Sequence, residues 1–241
     1  MKQILIALIT LISLSTFAQD RVEVNDANAQ KRTLTAGFTA ITVSDGINLY
    51  LTQGSEESIA VSASEEKYME RFKTIVEDGT LKIFFDNSGL SWVNSGKRKL
   101  KAYVSFKALE KIHASSGADV ILKSTVSVNK LQCTFTSGAH FSGQVDVGQM
   151  EVSQNSGSEI EISGKTDKLQ IEVSSGAVFK GYDLAVDFCE AKATSGGGVR
   201  ITVNKELNAK ANSGGGIRYK GNAVIKDLSV DSGGMVKKAS I

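Results

Sequence analysis

The sequence predicts an all-β, single-domain parallel β-solenoid, and three observations carry that prediction. One serine–glycine phrase recurs at a nearly fixed interval, the residues around it alternate apolar and polar, and proline is absent from all 241 residues. The phrase stands at Gly117, Gly138, Gly157, Gly176, Gly196, Gly214 and Gly233, successive glycines being 18 to 21 positions apart. A serine precedes each of these glycines, and only Ala, Ser or Gly follows. Three residues after the glycine stand Val120, Phe141, Ile160, Phe179, Val199, Ile217 and Val236, all large and apolar. Five before it stand Ile112, Cys133, Val152, Ile171, Ala191, Ala209 and Leu228.

Alternation with a period of two marks strands with one buried face. A period of about 19 residues, with a glycine at one corner, marks the turns of a coil that stack by parallel strand pairing. Each turn holds two or three short strands, and seven turns at ~4.8 Å make a rod ~34 Å long. Glycine permits a backbone bend that a side chain would obstruct, and the small residue after it keeps the corner tight. A chain without proline removes no backbone donor, which suits strands paired on both sides. A phosphate-binding loop would need a Gly-Lys-Ser/Thr ending and a following helix, and neither accompanies the phrase.

The chain divides into residues 1–18, 19–36 and 37–241, with the clear repeat turns at about 109–236. The opening "MKQILIALITLISLSTFAQD" reads as an export signal: Lys2, an apolar run from Ile4 to Leu14, then Thr16 and Ala18 before the cut. That run falls short of the ~20 residues a spanning helix needs, and no second apolar run follows. The expected mature chain has no membrane span, begins with an extension over 19–36, and is exported to the periplasm, the outer surface or the medium. A formal net charge of +2 points away from nucleic acid. The two cysteines, Cys133 and Cys189, fall in turns three apart. About 14 Å of axial rise then separates them, too far for a disulfide, so both read as buried free thiols.

In the N-terminal third, "FTAITVSDGINLYLT" fits the same columns with Gly46 as the corner. Ile59, Val61 and Ala63 alternate as a strand. Residues 65–73 read as two helical turns capped by Ser64, with Tyr68, Met69 and Phe72 toward the rod. Asp78-Gly79 between alternating runs predicts a hairpin. "DNSGLSWVNSGKRKL" reads as a long exposed loop whose Trp92, beside Lys97, Arg98 and Lys99, either contacts a sugar or partner or packs over an open part of the core.

The phrase "FTAITVSDGINLYLTQG", followed by "SIAVSA", "EEKYMERF", "VEDGTLKIFF" and the downstream serine–glycine repeats, resembles the head GIN domain family, named for Gly46-Ile47-Asn48. The resemblance covers roughly residues 37–236. It implies a β-solenoid in an exported protein of Bacteroidetes-type bacteria, labelled an auto-transporter adhesin. It brings no catalytic residues.

Four residues after the corner glycine, Lys180, Arg200, Arg218 and Lys237 form a row of cations, with Lys192 and Lys210 on another line. Such a row binds an anionic glycan or simply faces water and discourages edge pairing. Asp119, His140 and Glu159 share an outward column at metal-binding reach, but no second column completes a site. Only His113 and His140 are present, in different columns. No cofactor is expected. The serine column reads as hydrogen bonding between neighbouring turns. The chain therefore reads as a non-enzymatic exported module of the cell envelope whose polar ladders meet a glycan or a protein partner. The alternatives are a polysaccharide lyase or hydrolase on a β-helix, or a periplasmic partner-binding protein. The last turn, near Gly233, leaves an open end that invites a homodimer.

Overall fold

The structure, a computed structural model, describes residues 26–89 and 98–240. Its strands join one 17-stranded sheet that coils on itself. They are β1 (Gln30–Arg32), β2 (Ala40–Val43), β3 (Asn48–Gln53), β4 (Ser58–Ser62), β5 (Phe72–Glu77), β6 (Thr80–Phe85), β7 (Lys101–Phe106), β8 (Lys111–Ala114) and β9 (Asp119–Leu122). The longer strands β10 (Val126–Phe135), β11 (His140–Gln154), β12 (Glu159–Val173), β13 (Val178–Ala193) and β14 (Gly198–Ala211) follow, then β15 (Gly216–Lys220), β16 (Val224–Val230) and β17 (Met235–Lys238).

From β8 onward every pairing is parallel, in the register that the repeat dictates. Cys133 lies between Ile112 and Val152. Phe141 lies between Val120 and Ile160, and the same column continues through Phe179, Val199, Ile217 and Val236. These side chains fill one core running the length of the rod. Phe135, Phe141 and Phe179 are fully buried in it, and the first two rings pack 5.2 Å apart.

The long strands bend within each turn. In β11 the alternation breaks where buried Val147 is followed by half-buried Gly148, exposed Gln149 and buried Met150. A Cβ on Gly148 would stand 2.9 Å from the Asn129 carbonyl oxygen of the turn below. A second bend falls at Gly143 (φ 144°) in β11 and Gly164 (φ 107°) in β12. Each turn is thus three short strands.

The serine–glycine corner is built by the backbone. Ser137 and Gly138 both have positive φ, 53° and 70°, and the Ala139 amide closes the turn on the Thr136 carbonyl. Two successive left-handed residues are the pattern of a type I′ turn, for which glycine is favoured. A Cβ on any corner glycine would meet nothing within 4 Å. Glycine is therefore required there by its dihedral and not, as the sequence suggests, by crowding. Crowding falls one residue later: a Cβ on Gly197, Gly215 or Gly234 would stand 2.2–2.5 Å from a carbonyl oxygen of the preceding turn. The serines join neighbouring turns through their carbonyls, each accepting from the corner glycine of the turn before. Their hydroxyls are exposed.

The N-terminal third resolves into a turn and a cap. The Gly46 corner stacks on the Gly117 corner, with Val43 paired to Ala114 and Leu49 to Val120. Strands β6 and β7 add one more parallel layer. Antiparallel strands finish the end: β4 on β7, β1 on β4, and β5 on β6. The hairpin turns at Asp78-Gly79, both left-handed (φ 49° and 70°). The two helical turns expected over 65–73 shrink to a 3₁₀ turn, Glu66–Tyr68, flanked by Glu65 with no side-chain cap. The segment instead extends into β5, where Phe72 pairs with Phe85. Met69 and Phe72 still reach the core, and Tyr68 packs against it. β1 gives part of the segment before residue 37 an ordered place at the cap. Cys133 and Cys189 are free and buried, and burial pushes both thiols up to about 12.

Candidate binding face

Outward side chains of parallel strands in register form ladders at ~4.8 Å. On the face carrying β9, β11, β12, β13, β14, β15 and β17, one ladder runs Ile121, Ser142, Glu161, Lys180, Arg200, Arg218, Lys237. The structure thus brings together the four cations expected from the sequence. Lys180 is neutralised by Glu159 at 2.6 Å, with Glu161 at 3.9 Å. Arg200, Arg218 and Lys237 are exposed and form no ion pair among the described residues. Six other outward lysines behave differently, while Lys111, Lys168 and Lys238 are exposed and, among the described residues, unpaired like the row. Lys130, Lys165, Lys192, Lys205, Lys210 and Lys226 each find a carboxylate one turn away. Like charges placed side by side across strands are destabilising, so this row costs the free protein stability.

Beside that row the neighbouring outward column reads Val178, Gly198, Gly216. The two glycines carry no side chain next to Arg200 and Arg218, and the flanking Val178 and Met235 side chains reach to within 4.0 and 3.8 Å of where their Cβ atoms would stand. On the other side, where the chain bends, an open groove of about 830 Å³ is lined by Lys123, Gln144, Glu161, Lys180, Tyr182 and Arg200, among others. Lys220 caps the Tyr182 ring 4.5 Å from its centroid. Tyr182 escapes a sequence reading because it lies at the irregular bend, where the register shifts between Gly181 and Ala185.

The same face changes character toward the N-terminal end. Tyr50 and Tyr103 stack with centroids 5.1 Å apart and planes 14° from parallel, and Lys123 approaches the Tyr50 ring at 5.7 Å. β7 lies outside the repeat, so nothing in the spacing brings Tyr103 to Tyr50. The Tyr103 hydroxyl donates to Asp26, which also accepts from the Ser62 hydroxyl, the Asn28 amide and Lys101. The Ser62 bond, assisted by the others, holds the Asp26 carboxyl down at about 2. Burial, aided by Asp26, pushes Tyr103 up to about 12.

Asp119, His140 and Glu159 do stack as expected. His140 Nδ1 is 2.9 Å from Asp119, and Nε2 is 3.8 Å from Glu159. Lys180 takes the same Glu159 oxygen, Oε1, at 2.6 Å, and no group of three metal-ligating side chains is assembled among the described residues. Trp92 and Lys97 lie outside the described residues. Arg98 bonds Asn87 and covers the Phe85 ring at 4.1 Å. Among the described residues no helix is long and apolar enough to cross a membrane.

The architecture is that of a parallel β-solenoid with a capped N-terminal end and side-chain ladders on its outer faces. The family described as "Putative auto-transporter adhesin, head GIN domain" matches residues 37–223, and the chain belongs to that family. Three solved structures share its fold. A "putative adhesin" from Bacteroides fragilis has a TM-score of 0.81 at 18% identity, covering 88% of this chain and 96% of that one. A "putative adhesin" from Parabacteroides merdae gives 0.69 at 18% identity, covering 89% and 98%. A "Putative lipid binding protein" from Parabacteroides distasonis gives 0.62 at 18% identity, covering 89% and 98%. No curated protein matches the chain.

Proposed function

We propose that this protein is a non-enzymatic, exported binding module of the cell envelope that holds an acidic glycan along the row Arg200, Arg218 and Lys237. The observation that carries this reading is the stacking of three unpaired cations in one row beside Gly198 and Gly216, whereas six lysines on other ladders are matched to carboxylates one turn away. An extended uronate polymer carries a carboxylate on each sugar, and a ladder of cations meets such a chain repeatedly without any one contact being strong. The adhesin description of the family supports a binding role, and the apolar run before Ala18 supports export.

The test is calorimetric titration with oligogalacturonate, with neutral dextran as the control. Arg200→Glu with Arg218→Glu is expected to weaken binding by about tenfold or more, equivalent to about 1.4 kcal/mol. Binding by the wild type is expected to fall as salt is raised, because exposed charges are screened. Equal affinity of the wild type and the double variant sinks the assignment of the face. Shortening of the oligomer during incubation sinks the non-enzymatic reading.

A further inference from the structure

The two ends of the rod are built differently. The N-terminal end closes with antiparallel strands and buries Met69 and Phe72. Among the described residues, the C-terminal end of the rod is a turn of the repeat itself. Among the described residues β16 pairs only with β14, and β17 only with β15, so the outer edges of both strands are unmatched. Ile225, Leu228 and Val230 continue the core columns of Leu207, Ala209 and Ala211. Yet they are 38%, 52% and 46% exposed, whereas those partners are buried. An unpaired, apolar strand edge is a template for another strand.

We infer that this end is an interface between two copies of the chain, joined by antiparallel pairing of β16 with β16 about a two-fold axis between Lys226 and Asp227. Head-to-tail stacking lacks a matching surface, because the other end ends in antiparallel strands and not in a turn of the repeat. A two-fold contact needs a self-complementary surface, and β16 has one. Its sequence is "VIKDLSV". With the axis between Lys226 and Asp227, each Lys226 stands opposite the partner's Asp227, and each Ile225 opposite the partner's Leu228. Ala223 then meets the partner's Val230. Slipping by one residue places Asp227 opposite Asp227 or Lys226 opposite Lys226 and sets core-facing side chains against outward ones. Charge and burial therefore select the same register. The irregularity between Leu207 and Asn208 makes this possible. The register there passes from Ile225 to Asp227, so Ile225 and Leu228 stay in the core columns while two charged residues stand between them.

The test is sedimentation velocity of the wild type, Lys226→Asp, Asp227→Lys, the double swap, and Leu228→Lys. Circular dichroism melting checks that each variant is folded. A wild-type dimer is expected, with each single charge variant about tenfold or more weaker in self-association. The double swap regains the dimer because it restores opposite charges across the axis, and Leu228→Lys is a monomer. A wild type that stays monomeric at high concentration overturns the inference. So does a dimer that the folded single variants do not weaken, or a double swap no better than either single variant.

Discussion

The amide of Gly138 donates to the carbonyl of Ser156, 3.0 Å away and one turn further along the rod. The same bond recurs from Gly46 to Ser116, Gly117 to Ser137, Gly157 to Ser175, Gly176 to Ser195, Gly196 to Ser213 and Gly214 to Ser232. One edge of the rod is thus stitched through left-handed residues. The serine is the strained member, since a side chain at positive φ is disfavoured, and the glycine is what makes the pair affordable.

Two glycines in neighbouring turns separate dihedral demand from space. At Gly176 (φ 73°) an added Cβ meets nothing within 4 Å, so Gly176→Ala incurs only the left-handed penalty. The expected loss is about 1 kcal/mol. At Gly197 the added Cβ lies 2.5 Å from the Val173 carbonyl oxygen, a backbone atom that cannot swing aside. Gly197→Ala is expected to lose more, about 2–3 kcal/mol. Urea unfolding of the two variants ranks them, and the reverse order would show that corner strain dominates over contact between turns.

The repeat made the parallel register, the core columns and the cation row legible, because stacking converts equal spacing into adjacency. The Gly46 turn was legible for the same reason. Outside the period, the hairpin at Asp78-Gly79 and the strand through Ile59 and Val61 were legible from local chemistry, but the long-range placement was not. β7 reaches the Tyr50 face only because β4 and the following segment return the chain there, so the stacked Tyr103 has no sequence signal. The helical pattern over 65–73 lost to strand pairing of Phe72 with Phe85, a tertiary contact that local propensity does not encode. Tyr182 and the groove arise at a bend whose register shift is set by packing of Gly181 against Phe179; a Cβ there would lie 2.5 Å from the ring.

Asp26 anchors the segment before β1 to β4 and β7, and its side chain is 11% exposed. Its folded pKa of about 2 is below the ordinary 3.8. A depressed carboxyl contributes stability that is present in full above the unfolded value and is lost as pH falls through the folded value. Asp26→Asn is therefore expected to be less stable than the wild type at neutral pH. The gap should narrow as pH drops below about 4 and close near about 2. Urea midpoints across that range check it. A gap that does not change with pH would mean that Asp26 acts through its shape and not its charge.

Gln154 occupies a core column between Phe135 and Val173 and is almost fully buried. Its amide nitrogen reaches the Ser158 and Val178 carbonyls at 3.4 and 3.2 Å. Its Oε1 is buried without a partner. A buried unpaired acceptor costs about 1–3 kcal/mol, whereas long neutral hydrogen bonds return at most about 1 kcal/mol each. The Ser158 carbonyl keeps the Val178 amide as a donor when Gln154 is removed. Methionine has nearly the same length and flexibility and brings no polar demand to an apolar site. Gln154→Met is therefore expected to raise stability by about 1 kcal/mol, seen as a thermal midpoint about 2–4 °C higher for a chain of this size. A lower midpoint would show that the two carbonyl contacts outweigh the stranded oxygen, and that this glutamine holds the corner between Gln154 and Ser158 in place.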